Sequence, residues 1–269
     1  LHDALPILPT IALPKEDSDL VTVHQPNSIA LRIAMVAADQ ADLVATLRLP
    51  RRTTLIALNH ASNVIGTILP IAEIGAIARD YGLLFLVDAA QTAGAYPIDV
   101  EAMQIDLLAF TGHKGLGGPM GTGGLWVGER VGTSEMEPLK RGGTGSLSEH
   151  EEQPDFLPDA YESGTPNTPG IAGLGAAVRW VLEKGVDVIR AHEVMLTRKL
   201  IDGLLENPAV TVYGTHDAER QTATVSLNVR GMEPSDVAYY LDEEYNVMCR
   251  SGLHCAPAAH RTIGTFPRG

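Results

Sequence analysis

Short apolar runs alternate with amphipathic segments along the middle of the chain. The residues after Pro70 place apolar side chains at helical spacing, and Gly82 is suited to end that helix. Four further runs have the length and composition of buried strands: Thr54–Leu58, Leu83–Val87, Asp106–Phe110 and Gly124–Val127. Because short buried strands alternate with helical segments, the pattern predicts an α/β domain with a mainly parallel sheet.

The later part of the chain predicts long helices and then a second set of short strands. Residues 140–169, rich in Gly, Pro, Ser and Glu, are expected to form a long loop. The elements predicted beyond it are helices over Gly170–Lys184, Val186–Leu205 and Pro234–Glu244, and strands over Val210–Tyr213, Thr222–Val229 and Val247–Cys249. We therefore expect a large domain over residues 8–185 and a smaller α+β domain over residues 186–269.

The residue pattern in the first part of the chain predicts secondary structure less clearly than the pattern in the middle. Apolar stretches near Ile29–Val36 and Ala41–Leu49 favour helices, although neither stretch has clear caps. Residues 1–7 match the translation of a widely used sequencing adapter. We interpret them as an artefact that does not belong to the fold.

Composition narrows the class of protein. The 33 acidic residues outnumber the 20 basic ones, and the net charge of −13 argues against a nucleic-acid partner. Two cysteines, Cys249 and Cys255, are too few for a disulfide framework, and the sequence contains no metal-binding pattern of Cys and His. No apolar run is long enough to span a membrane. These features predict a soluble cytoplasmic protein in which a free thiol can persist.

Polar side chains follow three of the predicted strands at the point where each strand ends. In open α/β sheets, ligands bind beyond the carboxyl ends of the strands. The residues placed there are His60, Asn63, Asp88, Gln91, Thr111, His113 and Lys114. Their convergence on one edge of the sheet predicts an active site.

Two of these residues suit an aldehyde cofactor that contains a pyridine ring. Lys114 lies in a glycine-rich loop, and a lysine whose burial disfavours the ammonium can form a Schiff base. Asp88 ends a strand, where its carboxylate can pair with a pyridine nitrogen and keep it protonated. The alternatives are a surface lysine in a flexible loop and a helix N-cap aspartate.

The strand-end pattern Asp88-Ala-Ala-Gln91 followed by Gly-His-Lys114 resembles the class V aminotransferases. The segments HASNVIGT, LFLVDAAQTAG, IDLLAFTGHKGLGGPMGTGGLWV and ESGTPNTPG are similar to the cysteine desulfurase and selenocysteine lyase branch of that family. The resemblance implies a pyridoxal-phosphate-dependent transferase fold of type I, in which residues 8–185 form the cofactor-binding domain.

The resemblance also implies a role for each matching residue near the cofactor. Lys114 would bind the cofactor covalently, and Asp88 and Gln91 would hold its ring. Asn63 would lie near the phenolic oxygen or the substrate. The remaining implied contacts are with phosphate, through Thr111 and His113 in the same subunit and through Thr165 in the neighbouring subunit of a homodimer.

A second set of residues is implied to handle sulfur. Cys255 matches the family's nucleophilic cysteine, and Arg250 and His254 could favour its thiolate. Arg250 is also expected to bind substrate. The implied reaction converts L-cysteine to L-alanine and leaves a persulfide on Cys255, from which an acceptor protein would take the sulfur. Cys249, at the end of a predicted strand, is expected to be a buried structural thiol.

The resemblance leaves several alternatives open. Selenocysteine lyase, another class V aminotransferase or epimerase, and a non-catalytic remnant or binding module all share parts of the pattern. Two family segments are missing, an upstream Gly-Thr-Thr turn for phosphate and a downstream arginine strand for the substrate carboxylate. We therefore expect a chain truncated at both ends, with weak or no activity by itself. The residues do not assign a role to His60, and no histidine is given the family's ring-stacking role.

Overall fold

The larger of the two sheets in the described structure has six strands. The computed structural model describes residues 20–24, 30–34, 53–132, 136–143, 145–147 and 149–269. In the order in which they pair, the strands are β1 (Leu20–His24), β2 (Ala30–Ala34), β3 (Thr53–Asn59), β4 (Leu84–Asp88), β5 (Leu107–Thr111) and β6 (Gly123–Val127). Strands β2 to β5 run parallel, and both edge pairs are antiparallel.

Five helices and a two-stranded sheet complete the described structure. The helices are α1 (Ile71–Asp80), α2 (Thr168–Lys184), α3 (Val186–Leu205), α4 (Pro234–Tyr245) and α5 (Pro257–Thr262). The small sheet pairs β7 (Val210–Tyr213) with β8 (Ser226–Val229) in antiparallel fashion. No helix in the described parts of the chain is long and apolar enough to cross a membrane.

Helix α1 packs on the sheet through one apolar face. Ile74 and Ala78, one turn apart, are buried in the same cluster as Phe85 and Val87 of β4. Alternate residues of a strand point to the same face of a sheet, which explains why positions 85 and 87 both meet the helix. This core fixes β3 and β4 in the middle of the sheet.

The strand ends that precede the polar residues lie in register. Asn59 of β3 is opposite Asp88 of β4, and Asp88 is opposite Ala109 of β5. The pairing continues past the strands, because the His60 amide donates to the Asp88 carbonyl at 2.8 Å and the Ala89 amide donates to the Ala109 carbonyl at 2.8 Å. The side chains that follow β3, β4 and β5 therefore share one edge of the sheet.

Two glycines allow the loops after β4 and β5 to touch. A Cβ on Gly94 would lie 2.7 Å from the carbonyl carbon of Gly115, and a Cβ on Gly115 would lie 2.7 Å from the Ala93 carbonyl oxygen. Any larger residue would have to push the loops apart. The approach places the turn after Asp88 directly against the loop that contains Lys114.

A buried ion pair holds the opposite ends of the same strands. The Asp106 carboxylate accepts a hydrogen bond from the Phe85 amide at 2.9 Å and two from Arg130, at 3.0 and 3.1 Å. Arg130 also donates to the Leu83 carbonyl at 3.3 Å. One arginine after β6 thus ties together the beginnings of β4 and β5.

The structure confirms the predicted strands of the large domain to within one or two residues, and it also confirms the helices that contain Val186–Leu205 and Gly170–Lys184. Predicted strand Val210–Tyr213 is confirmed as well. The loop over 140–169 contains no strand in its described residues, and helix α2 begins at Thr168. The predicted domain boundary after residue 185 stays a prediction. Ala41–Leu49 and residues 1–7 lie outside the described residues.

Two predicted elements are wrong and a third is shorter than predicted, and each depends on pairing between distant residues. Within Ile29–Val36, residues 30–34 form strand β2, because β1 and β3 supply hydrogen-bond partners on both sides. Of Thr222–Val229 only Ser226–Val229 is a strand, since the Thr222 amide bonds to the Gly66 carbonyl. Val247–Cys249 forms no strand, because no described strand pairs with it.

Replacing Arg130 with Met tests the buried ion pair. The Asp106 side chain is 3% exposed, so the change leaves a buried carboxylate without its cation. We expect the free energy of unfolding, measured by urea denaturation, to fall by about 3 kcal/mol. The matched control is Arg268→Met, whose surface partner Glu233 is half exposed, and it should change stability by at most about 1 kcal/mol. Equal losses in the two variants would contradict this account.

Replacing Gly94 with Ala tests the contact between the two loops. Gly94 has φ +86°, a left-handed conformation that disfavours alanine by about 1–2 kcal/mol. The contact with Gly115 should add about 1–3 kcal/mol of overpacking to that loss. Gly82→Ala is the matched control, because Gly82 has φ +67° and no atom within 4 Å of the added Cβ. Urea denaturation should show a clearly larger loss for Gly94→Ala, and similar losses would rule out a tight contact.

Candidate active site

The turn after β4 orients the Asp88 carboxylate. Its Oδ1 accepts a hydrogen bond from the Ala90 amide at 2.8 Å, while the Thr92 and Ala93 amides donate to the Ala89 carbonyl at 3.0 and 2.8 Å. No donor among the described residues reaches Oδ2 of Asp88. The turn is closed by its own backbone, so one carboxylate oxygen stays available at the edge of the sheet. Gln91 lies in the same turn and is partly exposed.

The loop after β5 is closed by backbone hydrogen bonds around Lys114. The Gly117 amide donates to the Lys114 carbonyl at 2.8 Å, and the Gly118 amide donates to the Gly112 carbonyl at 2.7 Å. The Lys114 side chain is exposed, which corrects the expectation of a buried lysine. The physical reason is that these bonds satisfy the loop internally, and no described segment covers its outer surface.

Thr111 and His113 form a polar pair beside the lysine. The Thr111 hydroxyl lies 2.7 Å from Nδ1 of the His113 ring. Strand β5 positions Thr111, whose backbone pairs with Gly123 of β6. The other ring nitrogen of His113 has no hydrogen-bond partner in the described parts of the chain, so it can meet a ligand.

One side-chain hydrogen bond joins the sheet edge to the cysteine loop, which is the C-terminal segment that contains Arg250, His254 and Cys255. Nδ2 of Asn63 donates to the His254 carbonyl at 2.7 Å, across 191 positions of sequence. Behind this bond, Val64, Ile65 and Ala256 form a small buried cluster. The residue next to His254 is Cys255, so the predicted nucleophile is attached to the segment that follows β3.

The Cys255 thiol is exposed and lies beside a cation. Nη2 of Arg250 is 3.6 Å from Sγ of Cys255. A neighbouring positive charge favours the thiolate form of cysteine. His254 and Cys255 both have positive φ, 50° and 62°, and such strained non-glycine residues cluster at functional sites.

The His254 ring stacks on the buried His260 ring, with centroids 5.9 Å apart and planes at 12°. Burial is the main cause that lowers the pKa of His254, and the charges of Arg250 and His260 lower it further. Both rings are therefore neutral near neutral pH, since burial also lowers the pKa of His260.

Cys249 corrects the expectation of a buried structural thiol. Its side chain is exposed, as is that of Cys255. The reason is the missing strand at residues 247–249, because burial of this cysteine required a neighbouring strand to cover it.

Thr165 is not brought into the cluster by the described residues. It is exposed in the loop before α2, and no hydrogen bond within the described residues involves it. The nearby Asn167 side chain caps α2 by accepting from the Gly170 amide at 3.1 Å. The loop end is thus held in place beside the helix.

His60 is buried beneath the Asp88 turn. Its Nδ1 lies 3.0 Å from the Thr92 hydroxyl, and its ring meets the edge of Tyr96 with centroids 5.2 Å apart. Burial lowers the pKa of His60 to about 4, so the ring is neutral at neutral pH. Nothing in the sequence singles out Thr92, because one threonine after a strand is indistinguishable from an ordinary turn residue.

One edge of the sheet thus brings together the loops that carry five polar groups: the Asp88 carboxylate, the Lys114 amine, the Thr111 hydroxyl, the His113 imidazole and the Asn63 amide. The Cys255 thiol and the neighbouring Arg250 guanidinium belong to the loop that the Asn63 amide holds. An acid, a primary amine and phosphate donors together can bind an aldehyde cofactor and assist proton transfer. A cysteine thiol beside them adds a group that becomes a nucleophile when it loses its proton.

Comparison with known proteins gives a family match over most of the chain. The family model for aminotransferase class-V matches residues 31–265. A probable cysteine desulfurase of Methanothermobacter thermautotrophicus is 38% identical over 244 residues, which cover 88% of this chain and 60% of the relative. The cysteine desulfurase of Salmonella agona is 39% identical over 209 residues, which cover 76% of this chain and 50% of the relative. The chain therefore spans about half the length of the curated relatives it matches.

Solved structures of cysteine desulfurases also match this chain. The apo cysteine desulfurase of Thermococcus onnurineus NA1 matches with a TM-score of 0.75 and 36% identity, over 84% of this chain and 56% of that one. The S-sulfonic acid form of cysteine desulfurase CsdA from Escherichia coli matches with a TM-score of 0.73 and 29% identity, over 85% and 56% of the two chains. The family match covers most of the sequence, and this protein belongs to the class V aminotransferase family.

Proposed function

We propose that this protein acts as a pyridoxal-phosphate-dependent cysteine desulfurase. In this reaction L-cysteine is converted to L-alanine, and the released sulfur remains as a persulfide on Cys255. The observation that supports it best is the hydrogen bond from Asn63 to the His254 carbonyl, which attaches the cysteine loop to the sheet edge that contains Asp88 and Lys114. A cysteine side chain is not required for simple transamination, so the presence of Cys255 there favours sulfur chemistry.

The chemistry of the side chains at the sheet edge fits pyridoxal phosphate. Within the part of the chain that the structure describes, one carboxylate oxygen of Asp88 meets no donor, which suits a protonated pyridine nitrogen. Thr111 and His113 supply a hydroxyl and an imidazole for phosphate, where such donors form strong hydrogen bonds. Gln91 and Asn63 are assigned to the ring's phenolic oxygen, and Lys114 supplies the amine. One related structure, a C-DES lysine-to-alanine mutant, has glycine covalently linked to its PLP cofactor.

Lys114 and Asp88 have distinct tasks in the proposed reaction. When bound, pyridoxal phosphate acts as an electron sink for negative charge at the substrate α-carbon. Lys114 Nζ accepts the α-proton of the substrate and later returns a proton to the product. The Asp88 carboxylate holds a proton at the ring nitrogen. Arg250 and Asn63 orient the substrate.

Cys255 performs the sulfur transfer. Its thiolate attacks the substrate sulfur, so that a bond forms between the two sulfur atoms and the bond from Cβ to sulfur breaks. The electron pair of that bond goes to Cβ, which takes up a proton and becomes the methyl group of alanine. Arg250, 3.6 Å from Sγ, stabilises the thiolate before the attack.

The finer assignments of partner and location are part of the proposal. We assign Thr165 to the phosphate of a second subunit's cofactor, in a homodimer that works in the cytoplasm. Exposed apolar side chains on helix α2 support the proposal of a partner subunit, because Ile171, Trp180 and Leu182 are each more than half exposed. An acceptor protein takes the sulfur from Cys255, whose exposure allows such a contact.

A single-turnover assay tests the function on the purified chain with added pyridoxal phosphate, because one turnover per molecule is detectable even at the weak activity expected of the chain by itself. After incubation with L-cysteine, alkylation and mass spectrometry should find one additional sulfur atom on Cys255, with alanine formed in equal amount. Cys255→Ser should keep the visible cofactor band but lose alanine formation by several orders of magnitude, as expected when a nucleophile is removed.

Cys249→Ser is the matched control, because Cys249 is also an exposed thiol. It should retain both the persulfide and the alanine. Lys114→Ala should lack the visible band that the lysine-bound cofactor produces. Alanine formation that persists without Cys255 would contradict the desulfurase assignment, and a band that persists without Lys114 would contradict the cofactor site.

A further inference from the structure

A buried hydrogen-bonded pair lies directly beneath the Asp88 turn. We define the His60–Thr92 pair by the 3.0 Å contact between Nδ1 of His60 and the hydroxyl of Thr92. The two residues are 1% and 0% exposed, so neither can exchange this partner for water. A buried polar contact of this kind is expensive to leave unmade, which makes its geometry well defined.

The pair contacts the turn at both of its ends. The His60 amide donates to the Asp88 carbonyl at 2.8 Å. At the other end, the Thr92 amide donates to the Ala89 carbonyl at 3.0 Å, and the Thr92 hydroxyl lies 3.5 Å from the same oxygen. A shift of either residue would therefore move the backbone on one side of the Asp88 carboxylate.

Tyr96 packs against the His60–Thr92 pair, and Arg190 of helix α3 packs against Tyr96. The Arg190 guanidinium lies over the Tyr96 ring at 5.4 Å, and that ring meets His60 edge-on. Arg190 is itself fixed by hydrogen bonds to the carbonyls of Ala218 and Glu219, at 2.9 and 3.0 Å. The support beneath Asp88 thus extends from β3 to α3 through packed side chains.

We propose that His60 and Thr92 are positioning residues, which hold the Asp88–Gln91 turn so that the Asp88 carboxylate faces the pyridine nitrogen of the cofactor. The inference rests on the proposed function, because it concerns the same cofactor site. Neither side chain touches the reacting atoms, and their effect passes through the backbone of the turn. A purely structural pair would stabilise the fold without altering how the cofactor is held.

Pairs of substitutions that remove or keep the hydrogen bond separate these roles. Thr92→Val keeps the shape of the side chain and removes the hydroxyl, whereas Thr92→Ser keeps the hydroxyl. His60→Leu removes the ring nitrogen, whereas His60→Asn retains a polar atom near the position of Nδ1. Thr53→Val is the control, because Thr53 is a buried threonine at the opposite end of β3 whose hydroxyl has no hydrogen-bond partner among the described residues.

The measurements are the dissociation constant for pyridoxal phosphate and the pH midpoint of the visible cofactor band. We expect Thr92→Val and His60→Leu each to weaken binding about 10-fold or more, as supporting residues around a site commonly do, and to shift the midpoint. Thr92→Ser and His60→Asn should stay within about 3-fold of the original protein. The double variant His60→Leu with Thr92→Val should bind no more weakly than the weaker single variant.

Urea denaturation without cofactor identifies any variant that does not fold. If His60→Leu is unfolded, the comparison of Thr92→Val with Thr92→Ser and Thr53→Val decides the question, since all three keep the threonine's volume or lose only a methyl group. Lower stability with unchanged binding and an unchanged midpoint would overturn the inference while leaving the proposed function intact. Absence of a visible band in the original protein would overturn both.

Discussion

Backbone pairing at the carboxyl ends of three parallel strands is the constraint on which the site depends. The amides of His60 and Ala89 extend the ladders of β3, β4 and β5 by one residue, so the polar side chains that follow each strand begin from fixed positions. The facing glycines Gly94 and Gly115 then bring two of the following loops into contact. The Asp88 and Lys114 loops are neighbours because of these backbone contacts, which need no direct bond between the two side chains.

The cysteine loop joins this edge through long-range contacts of a different kind. The Asn63 amide reaches a carbonyl near the other end of the sequence, and small apolar side chains pack behind it. Positive φ at His254 and Cys255 presents the thiol outward, where Arg250 adjoins it. In the proposed reaction, an exposed thiol on a fixed loop would accept sulfur from the substrate and then pass it to a second protein.

Much of the large domain could be predicted because its strands are short apolar runs bounded by polar residues. Strand ends also located Asp88 and Lys114 correctly on one edge. The errors arose where structure depends on distant partners: residues 30–34 pair with two strands, and Thr222 bonds to Gly66. Thr92 and Arg190 were missed for the same reason, since only the folded chain places a turn threonine and a helix arginine behind His60. Exposure of Lys114 and Cys249 likewise depends on which segments cover them.

Chemical trapping of the cofactor tests the central claim most directly. The purified chain would be incubated with pyridoxal phosphate, reduced with borohydride, digested and analysed by mass spectrometry. We expect the cofactor to be attached to Lys114 and to none of Lys15, Lys140, Lys184 and Lys199. Attachment to another lysine, or equal labelling of all of them, would contradict it.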